Sequence, residues 1–166
     1  MAISIRKLLV LALITTSLTG CGSGRTAETR MIKQVTDGVE GQSNEVRLRN
    51  VLIVKDEMAQ GILIGTLVNW SDEADVLTGI TINDQAVTLS AGGFDLVKNK
   101  PVIFAGPSAN ADAFISQIAN AIGERVDITF SFAKASPVKL NALIVQNDGI
   151  YTDLLRLKPS TATSTS

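Results

Sequence analysis

The 166-residue sequence contains no histidine, one cysteine and few aromatic residues, which make up 4% of the chain. Without histidine the chain lacks the commonest general base and the commonest metal ligand in proteins, and it also lacks a Ser-His-Asp triad. One cysteine excludes an internal disulfide bond and a multi-cysteine zinc site. The net charge of −1 comes without a long run of either sign, so the sequence predicts no binding to nucleic acid.

Apolar residues are plentiful by comparison, at 45% of the chain against 19% charged residues. This balance is typical of a protein with a packed core, and the length suits one domain with a tail at each end. At the C-terminal end, residues 158–166 are dominated by serine and threonine. Such low-complexity composition predicts a disordered tail.

Residues 1–20 have the layout of a lipoprotein signal peptide. Arg6 and Lys7 provide a basic start, and an apolar run over residues 8–14 follows. This run is shorter than the roughly 20 residues that a transmembrane helix needs. The tetrapeptide LTGC, which ends at Cys21, resembles a bacterial lipobox. Small residues before the cysteine suit the groove of a peptidase, and the cysteine thiolate is the nucleophile that takes up the lipid.

The resemblance to a lipobox implies cleavage between Gly20 and Cys21, after which Cys21 carries diacylglycerol and an acyl chain such as palmitate. Two or three acyl chains anchor a soluble domain stably in a membrane. We therefore expect the protein on the extracytoplasmic face of a cell membrane. Gly22 is not the aspartate that retains some lipoproteins at an inner membrane, so in a two-membrane bacterium the expected place is the outer membrane, facing the periplasm. The alternatives are an ordinary signal peptide with an unrelated cysteine and a buried N-terminal helix.

Behind this leader, residues 21–44 are polar and predict a flexible tether. Residues 45–157 form the predicted domain, in which apolar residues recur with the period of two that is typical of strands. Residues 126–132 and 138–144 alternate most clearly and predict an antiparallel hairpin. Further strands are predicted at residues 46–54, 62–68, 77–82, 86–89, 94–97 and 102–104. This set indicates an all-β fold, an antiparallel β-sandwich.

One segment has helical spacing instead, and it predicts a short helix over about residues 110–122. Ser108 or Asn110 could cap its start, and Gly123 suits its end. The apolar residues of this segment are Ala111, Phe114, Ile115, Ile118 and Ile122. We expect this stripe to pack on the core, with a surface for a partner as the alternative.

Two longer stretches resemble the PCuAC-type periplasmic copper chaperones. The first is GILIGTLVNWSDEADVLTGI, which resembles the family's apolar strand, asparagine turn and acidic loop, with Asn69, Asp75 and Leu77 in the family's order. The second is GERVDITFSFAKASPVKLNALIV, which resembles the family's closing hairpin. In addition, VRLRNVLI is similar to the first strand of a related group of small actinobacterial lipoproteins. The resemblance spans about residues 46–145 and implies a cupredoxin- or immunoglobulin-like sandwich.

The family's copper ligands do not carry over to this sequence. Such chaperones hold Cu(I) with histidine and methionine, and their motif ends in His-x-Met. Here there is no histidine and no methionine after Met58, and the motif would fall in the apolar residues 107–122. Met58 is a weak candidate ligand, and a gap-filling place in the core is the alternative for it. The sequence predicts no cofactor, with copper as the one alternative.

A cluster of side chains after the second predicted strand is the candidate recognition surface: Trp70, Asp72, Glu73 and Asp75. The acidic residues lack the spacing of an EF-hand loop, so a solvated turn is the alternative for them. Trp70 is either a recognition residue or half-buried at a strand end. The function predicted overall is a membrane-anchored, non-catalytic binding or accessory module with an unidentified envelope protein as partner. The alternative is a copper chaperone-like protein with altered or lost ligands.

Overall fold

The computed structural model describes residues 37–152 and residue 154, and this part of the chain is almost entirely β. The strands are β1 (Val39–Ser43), β2 (Val46–Lys55), β3 (Gly61–Asn69), β4 (Asp75–Ile82), β5 (Gln85–Ala86), β6 (Thr88–Leu89), β7 (Phe94–Leu96), β8 (Val102–Phe104), β9 (Ala113–Ile115), β10 (Arg125–Phe132) and β11 (Val138–Gln146). One 3-10 helix (Gly149–Tyr151) follows β11. No helix in this part of the chain is long and apolar enough to cross a membrane.

The strands form a barrel-like sandwich in the order β5-β4-β10-β11-β2-β3-β9-β6, with β1 beside β2, β7 beside β4 and β8 beside β3. Strand β11 joins the two layers because it pairs with β10 on one side and with β2 on the other. The core between the layers includes the fully buried side chains of Leu48, Leu67, Leu77, Phe104, Phe130 and Ile144. The all-β sandwich predicted from the sequence is therefore confirmed.

The predicted closing hairpin is also confirmed, since β10 and β11 pair antiparallel from Arg125 opposite Leu143 to Phe130 opposite Val138. The prediction of a wholly antiparallel sandwich is wrong for one pair of strands. Ile144 pairs with Ile53 in a parallel register between β11 and β2. The apolar pattern of β2 and of β11 is compatible with either a parallel or an antiparallel neighbour. The sequence of these strands therefore could not predict that they pair with each other in parallel.

The helix predicted at residues 110–122 is wrong, because its centre is strand β9, which pairs with β3 and β6. Buried Ala111, Ala113 and Ile115 alternate with partly exposed neighbours, so a period of two lies within the apparent helical spacing. The predicted cap Asn110 instead ties this segment to β8. Its side chain accepts a hydrogen bond from Ile103 N at 2.8 Å and donates one to Pro101 O at 2.9 Å. The pairing of this segment with neighbouring strands therefore determines its local structure, although its apolar residues have helical spacing.

Strand β1 lies within the segment predicted as tether, so the ordered domain begins earlier than residue 45. Its sequence, VEGQS, has only one large apolar side chain, and this is why the period-of-two signal is weak there. The position that faces the core is Gly41, which has no side chain. A Cβ atom at Gly41 would lie 2.7 Å from Leu140 Cδ2 and 2.9 Å from Val138 Cγ1. The leader, the rest of the tether and the tail at 158–166 lie outside the described residues.

Candidate recognition surface

The loop that follows β3 is shaped by the buried side chain of Asn69. Its Nδ2 donates hydrogen bonds to Glu73 O and Leu96 O, both at 2.8 Å, and its Oδ1 accepts one from Ser71 N at 2.9 Å. Only 2% of Asn69 is exposed, so each of these bonds replaces one to water. The asparagine predicted as a turn residue therefore connects the 70–74 loop to the end of β7.

Asp75 begins β4 and holds the neighbouring hairpin loop between β10 and β11. Its Oδ1 accepts hydrogen bonds from Val76 N at 2.7 Å and Lys134 N at 2.9 Å, and its Oδ2 accepts one from Ala135 N at 2.9 Å. Burial by itself raises the pKa of this carboxyl, but the three N–H groups and the Lys134 charge outweigh it, and the pKa lies below its ordinary value. Asp75 is thus a buried structural residue, and its place in the predicted recognition surface is wrong.

Trp70, by contrast, projects from this rigid base into solvent. Its backbone N–H donates to Glu45 O at 3.0 Å, and 56% of the residue is exposed. The guanidinium carbon of Arg47 lies 4.7 Å from the centre of the indole ring, in a cation–π arrangement. Arg47 Nε is buried and has no hydrogen-bond acceptor among the described residues. Tryptophan and arginine are both enriched among the residues that contribute most to binding at protein interfaces.

Charged residues surround Trp70 on the neighbouring loops. Asp72 forms an ion pair with Lys98 at 2.6 Å, and Glu73 is exposed. Val97, next to Lys98, is the second exposed large apolar residue at this end of the sandwich. We call Arg47, Trp70, Asp72, Val97 and Lys98 the Trp70 surface.

A small cavity of ≈ 100 Å³ lies beside the Trp70 surface. Its lining is mixed, with Glu45, Asn69, Ser71, Glu73 and Lys134 among the polar contributors. The polar groups of Asn69 and Asp75 at its wall already have hydrogen-bond partners within the protein. The cavity therefore suits one side chain of a partner better than a small-molecule substrate, which typically needs several hundred cubic ångströms.

Met58, the weak candidate metal ligand, lies at the other end of the β2–β3 hairpin. It is 76% exposed in a turn where Asp56 Oδ1 accepts hydrogen bonds from Met58 N and Gln60 N. The alternative of a core position for Met58 is therefore wrong. No group of three His, Cys, Asp or Glu side chains that could hold a metal occurs among residues 37–152 and 154. Met58 is the one thioether of the described residues, and a single exposed thioether without any histidine does not fit a Cu(I) site.

The sequence identified Trp70 and Asp72 but missed Arg47, Val97 and Lys98. Arg47 lies on β2 opposite Val68 of β3, and only this pairing brings it next to the residue that follows β3. Val97 and Lys98 reach the site because Asn69 binds the end of β7. Cys21 and Gly20, the predicted lipidation and cleavage residues, lie outside the described residues.

Solved structures of PCuAC domains have a fold similar to that of this chain. The copper-bound PCuAC domain from PmoF2 superimposes with a TM-score of 0.57 at 19% sequence identity, covering 65% of this chain and 98% of that one. The apo PmoF2 PCuAC domain gives 0.58 at 19%, covering 67% and 98%. The apo PCuAC domain from PmoF1 gives 0.56 at 14%, covering 65% and 99%. The chain has a PCuAC-like fold.

The likeness to PCuAC domains concerns the fold alone, because sequence identity is 19% or less. No family model and no curated protein sequence matches this chain. Within the PCuAC-like fold, Asn69 and Asp75 fix loops and Leu77 fills the core. The three residues in which this sequence resembles the PCuAC family are therefore residues that maintain the fold.

Proposed function

We propose that this protein is a lipid-anchored, extracytoplasmic binding module that acts without catalysis and contacts an envelope protein through the Trp70 surface. The observation that carries the proposal is the exposed Trp70 with Arg47 against its ring, on a PCuAC-like domain whose chain contains no histidine. The fold supplies a rigid support for a recognition surface, and the histidines that PCuAC-type chaperones use to hold Cu(I) are missing.

The chemistry of the Trp70 surface indicates what a partner would provide. Trp70 and Val97 offer apolar area, and a partner that covers them would remove it from water. Arg47 offers a cation that is already partly desolvated, so a carboxylate or carbonyl of the partner would be its natural complement. Asp72 and Lys98 lie at the edge, where an ion pair contributes to selectivity more than to affinity.

The proposed anchor at Cys21 is supported by the lipobox-like LTGC sequence, and with it we expect the domain on the cell membrane or the outer membrane. We expect growth with labelled palmitate to label the protein, and the Cys21→Ala variant to lose both the label and its membrane association. Thr19→Ser keeps a small residue before the cleavage site and serves as the matched control. An unlabelled wild-type protein, or a Cys21→Ala variant that stays with the membrane fraction, would contradict the anchor.

A copper chaperone-like role with altered ligands is the second candidate, and it is favoured by the likeness to a copper-bound PCuAC domain. Met58 is the thioether in the described residues that could take part. Anaerobic Cu(I) titration of the protein in detergent, against a competing chelator, separates the two candidates. We expect no binding tighter than about micromolar. Stoichiometric, tighter binding that is lost in Met58→Ala would establish the copper role instead.

A further inference from the structure

A second cavity, of ≈ 90 Å³, lies at the end of the sandwich opposite to Trp70. Its walls are the turn between β4 and β5 and the loop that follows β9. This loop is tied to the β2–β3 hairpin, because Ile118 N donates a hydrogen bond to Ala59 O at 2.8 Å, next to Met58. None of the residues that line this cavity is charged, and we call it the amide pocket because four of them carry side-chain amides.

The floor of the amide pocket is apolar and fixed in place. It is formed by the buried side chains of Ile82, Ile115 and Ile118. Ile118 packs closely over Gly61, where a Cβ atom would lie only 2.4 Å from Ile118 Cδ1. Water on such a floor finds few polar partners, so an apolar group of a ligand would displace it favourably.

The rim of the amide pocket offers hydrogen-bond donors and acceptors. Asn83 Nδ2 donates to Asn120 Oδ1 at 3.0 Å, and Asn120 Nδ2 donates to Glu124 Oε2 at 3.3 Å. These two bonds hold Asn120 and leave the Asn83 Oδ1 atom as an acceptor. Gln85 and Gln117 are exposed, and their side chains make no hydrogen bond within residues 37–152 and 154. The rim can therefore both donate hydrogen bonds to a neutral ligand and accept them from it.

Two charged side chains next to the amide pocket are engaged by the protein itself. Lys55 Nζ donates to Asn120 O at 2.6 Å, and Glu124 Oε2 accepts a hydrogen bond from Ala121 N at 2.9 Å. Asp84, in the β4–β5 turn, is exposed and does not line the cavity. A charged ligand would give up water without gaining an opposite charge, so the pocket suits a neutral group.

We infer that the amide pocket binds the acetamido group of an N-acetylated sugar. An acetamido group is neutral and carries one methyl, one N–H and one C=O group. The methyl group matches the isoleucine floor, while the N–H and C=O groups match Asn83 Oδ1 and the amides of Gln85 and Gln117. The Ser116 hydroxyl lies at the rim, where a ring hydroxyl of the sugar could reach it. A cavity of ≈ 90 Å³ has room for one such group and leaves the sugar ring outside.

A peptide could also present an acetamide-like group, but the strands beside the amide pocket do not favour one. β5 is an edge strand of only two residues, and β9 is paired on both sides, with β3 and β6. An extended peptide that adds to a sheet needs a longer row of free backbone groups. The glycan of a bacterial cell wall would supply N-acetylated sugars, and that source, unlike the pocket itself, rests on the proposed extracytoplasmic location.

Nuclear magnetic resonance titration of the isotope-labelled full chain in detergent tests the inference. We expect the dimer of N-acetylglucosamine to shift the side-chain amide signals of Gln85 and Gln117, with a dissociation constant of about 1 mM. Cellobiose, the corresponding dimer of glucose, has hydroxyl groups in place of the acetamido groups and should shift neither signal. Equal shifts with both sugars, or none with either, would overturn the inference. Tighter binding of N-acetylalanine methylamide would also overturn it, because the pocket would then take a peptide.

Two variants test whether the sugar binds in the amide pocket. Gln117→Ala removes an exposed rim amide and should weaken binding about fivefold, the equivalent of one hydrogen bond. Ala86→Leu puts a larger side chain at the cavity and should abolish binding. Gln42→Ala, at the opposite end of the sandwich beside the β1–β2 turn, is the matched control and should bind as the wild type does. Unchanged binding in either pocket variant would overturn the site, and the Trp70 proposal would stand independently of that result.

Discussion

Replacing Asp75 with alanine is expected to lower the free energy of unfolding by roughly 3–5 kcal/mol, the largest effect of any single polar substitution proposed for this domain. The carboxylate accepts hydrogen bonds from the backbone N–H groups of Val76, Lys134 and Ala135. Alanine removes the acceptor of all three donors; the bond to Ala135 N is buried, and an unpaired buried donor costs about 1–3 kcal/mol, to which the two part-buried donors add. Denaturant unfolding followed by circular dichroism measures the change.

Two comparisons separate this cause from a simple loss of charge. Asp75→Asn keeps one acceptor oxygen but places an amide N–H₂ group against a backbone donor, so it should be intermediate between wild type and Asp75→Ala. Asp72→Ala removes an exposed carboxylate whose ion pair with Lys98 lies at the surface, and it should change stability little. Equal stability of Asp75→Ala and Asp72→Ala would contradict the structural role of Asp75.

The Asp75 carboxyl group also makes the stability of the domain depend on pH. Because the pKa of Asp75 is lower in the folded state than in the unfolded chain, the carboxylate contributes stability above the unfolded pKa. That contribution declines as the pH falls below about 4 and is lost once the folded-state pKa is passed. The stability difference between wild type and Asp75→Ala should therefore be full at neutral pH and shrink in acid. A difference that is constant from neutral pH to about pH 2 would contradict this sign.

Replacing Trp70 with alanine is expected to have the largest effect on function and little effect on folding. Truncation of a central interface tryptophan commonly costs about 2 kcal/mol or more of binding free energy, which is about 30-fold in affinity. Trp70 is 56% exposed and belongs to neither of the domain's two apolar clusters, so the core of the folded domain is unchanged in this variant. Met58→Ala is the matched control, because Met58 is an exposed apolar residue at the opposite end of the β2–β3 hairpin.

The strands of the fold were predictable wherever one face is buried and the other exposed. β10 and β11 alternate clearly, and both their position and their pairing followed from the sequence. The segment around β9 was misassigned because Ile118 and Ile122 extend an apparent helical stripe from residues that alternate in the structure. β1 was not predicted because Gly41 stands at the position where a core-facing strand residue would have an apolar side chain.

The Trp70 surface was predictable only in part, because it is built from loops that tertiary contacts bring together. Trp70 stands out in the sequence as the sole tryptophan beside an acidic run. The sequence could not distinguish an exposed carboxylate at Asp72 from a buried one at Asp75, since that depends on the β10–β11 loop packed against it. Arg47 and Lys98 become neighbours of this loop only through strand pairing and the Asn69 hydrogen bonds.

Site-specific photo-crosslinking in intact cells tests the central claim most directly. A photoreactive phenylalanine analogue replaces Trp70 in one variant and Met58 in the other, with the rest of the chain unchanged. We predict a discrete covalent adduct with one envelope protein from position 70 and none from position 58, because a partner would cover the Trp70 surface and leave the opposite end free. No adduct from position 70, or the same adducts from both positions, would contradict the Trp70 surface as the binding site.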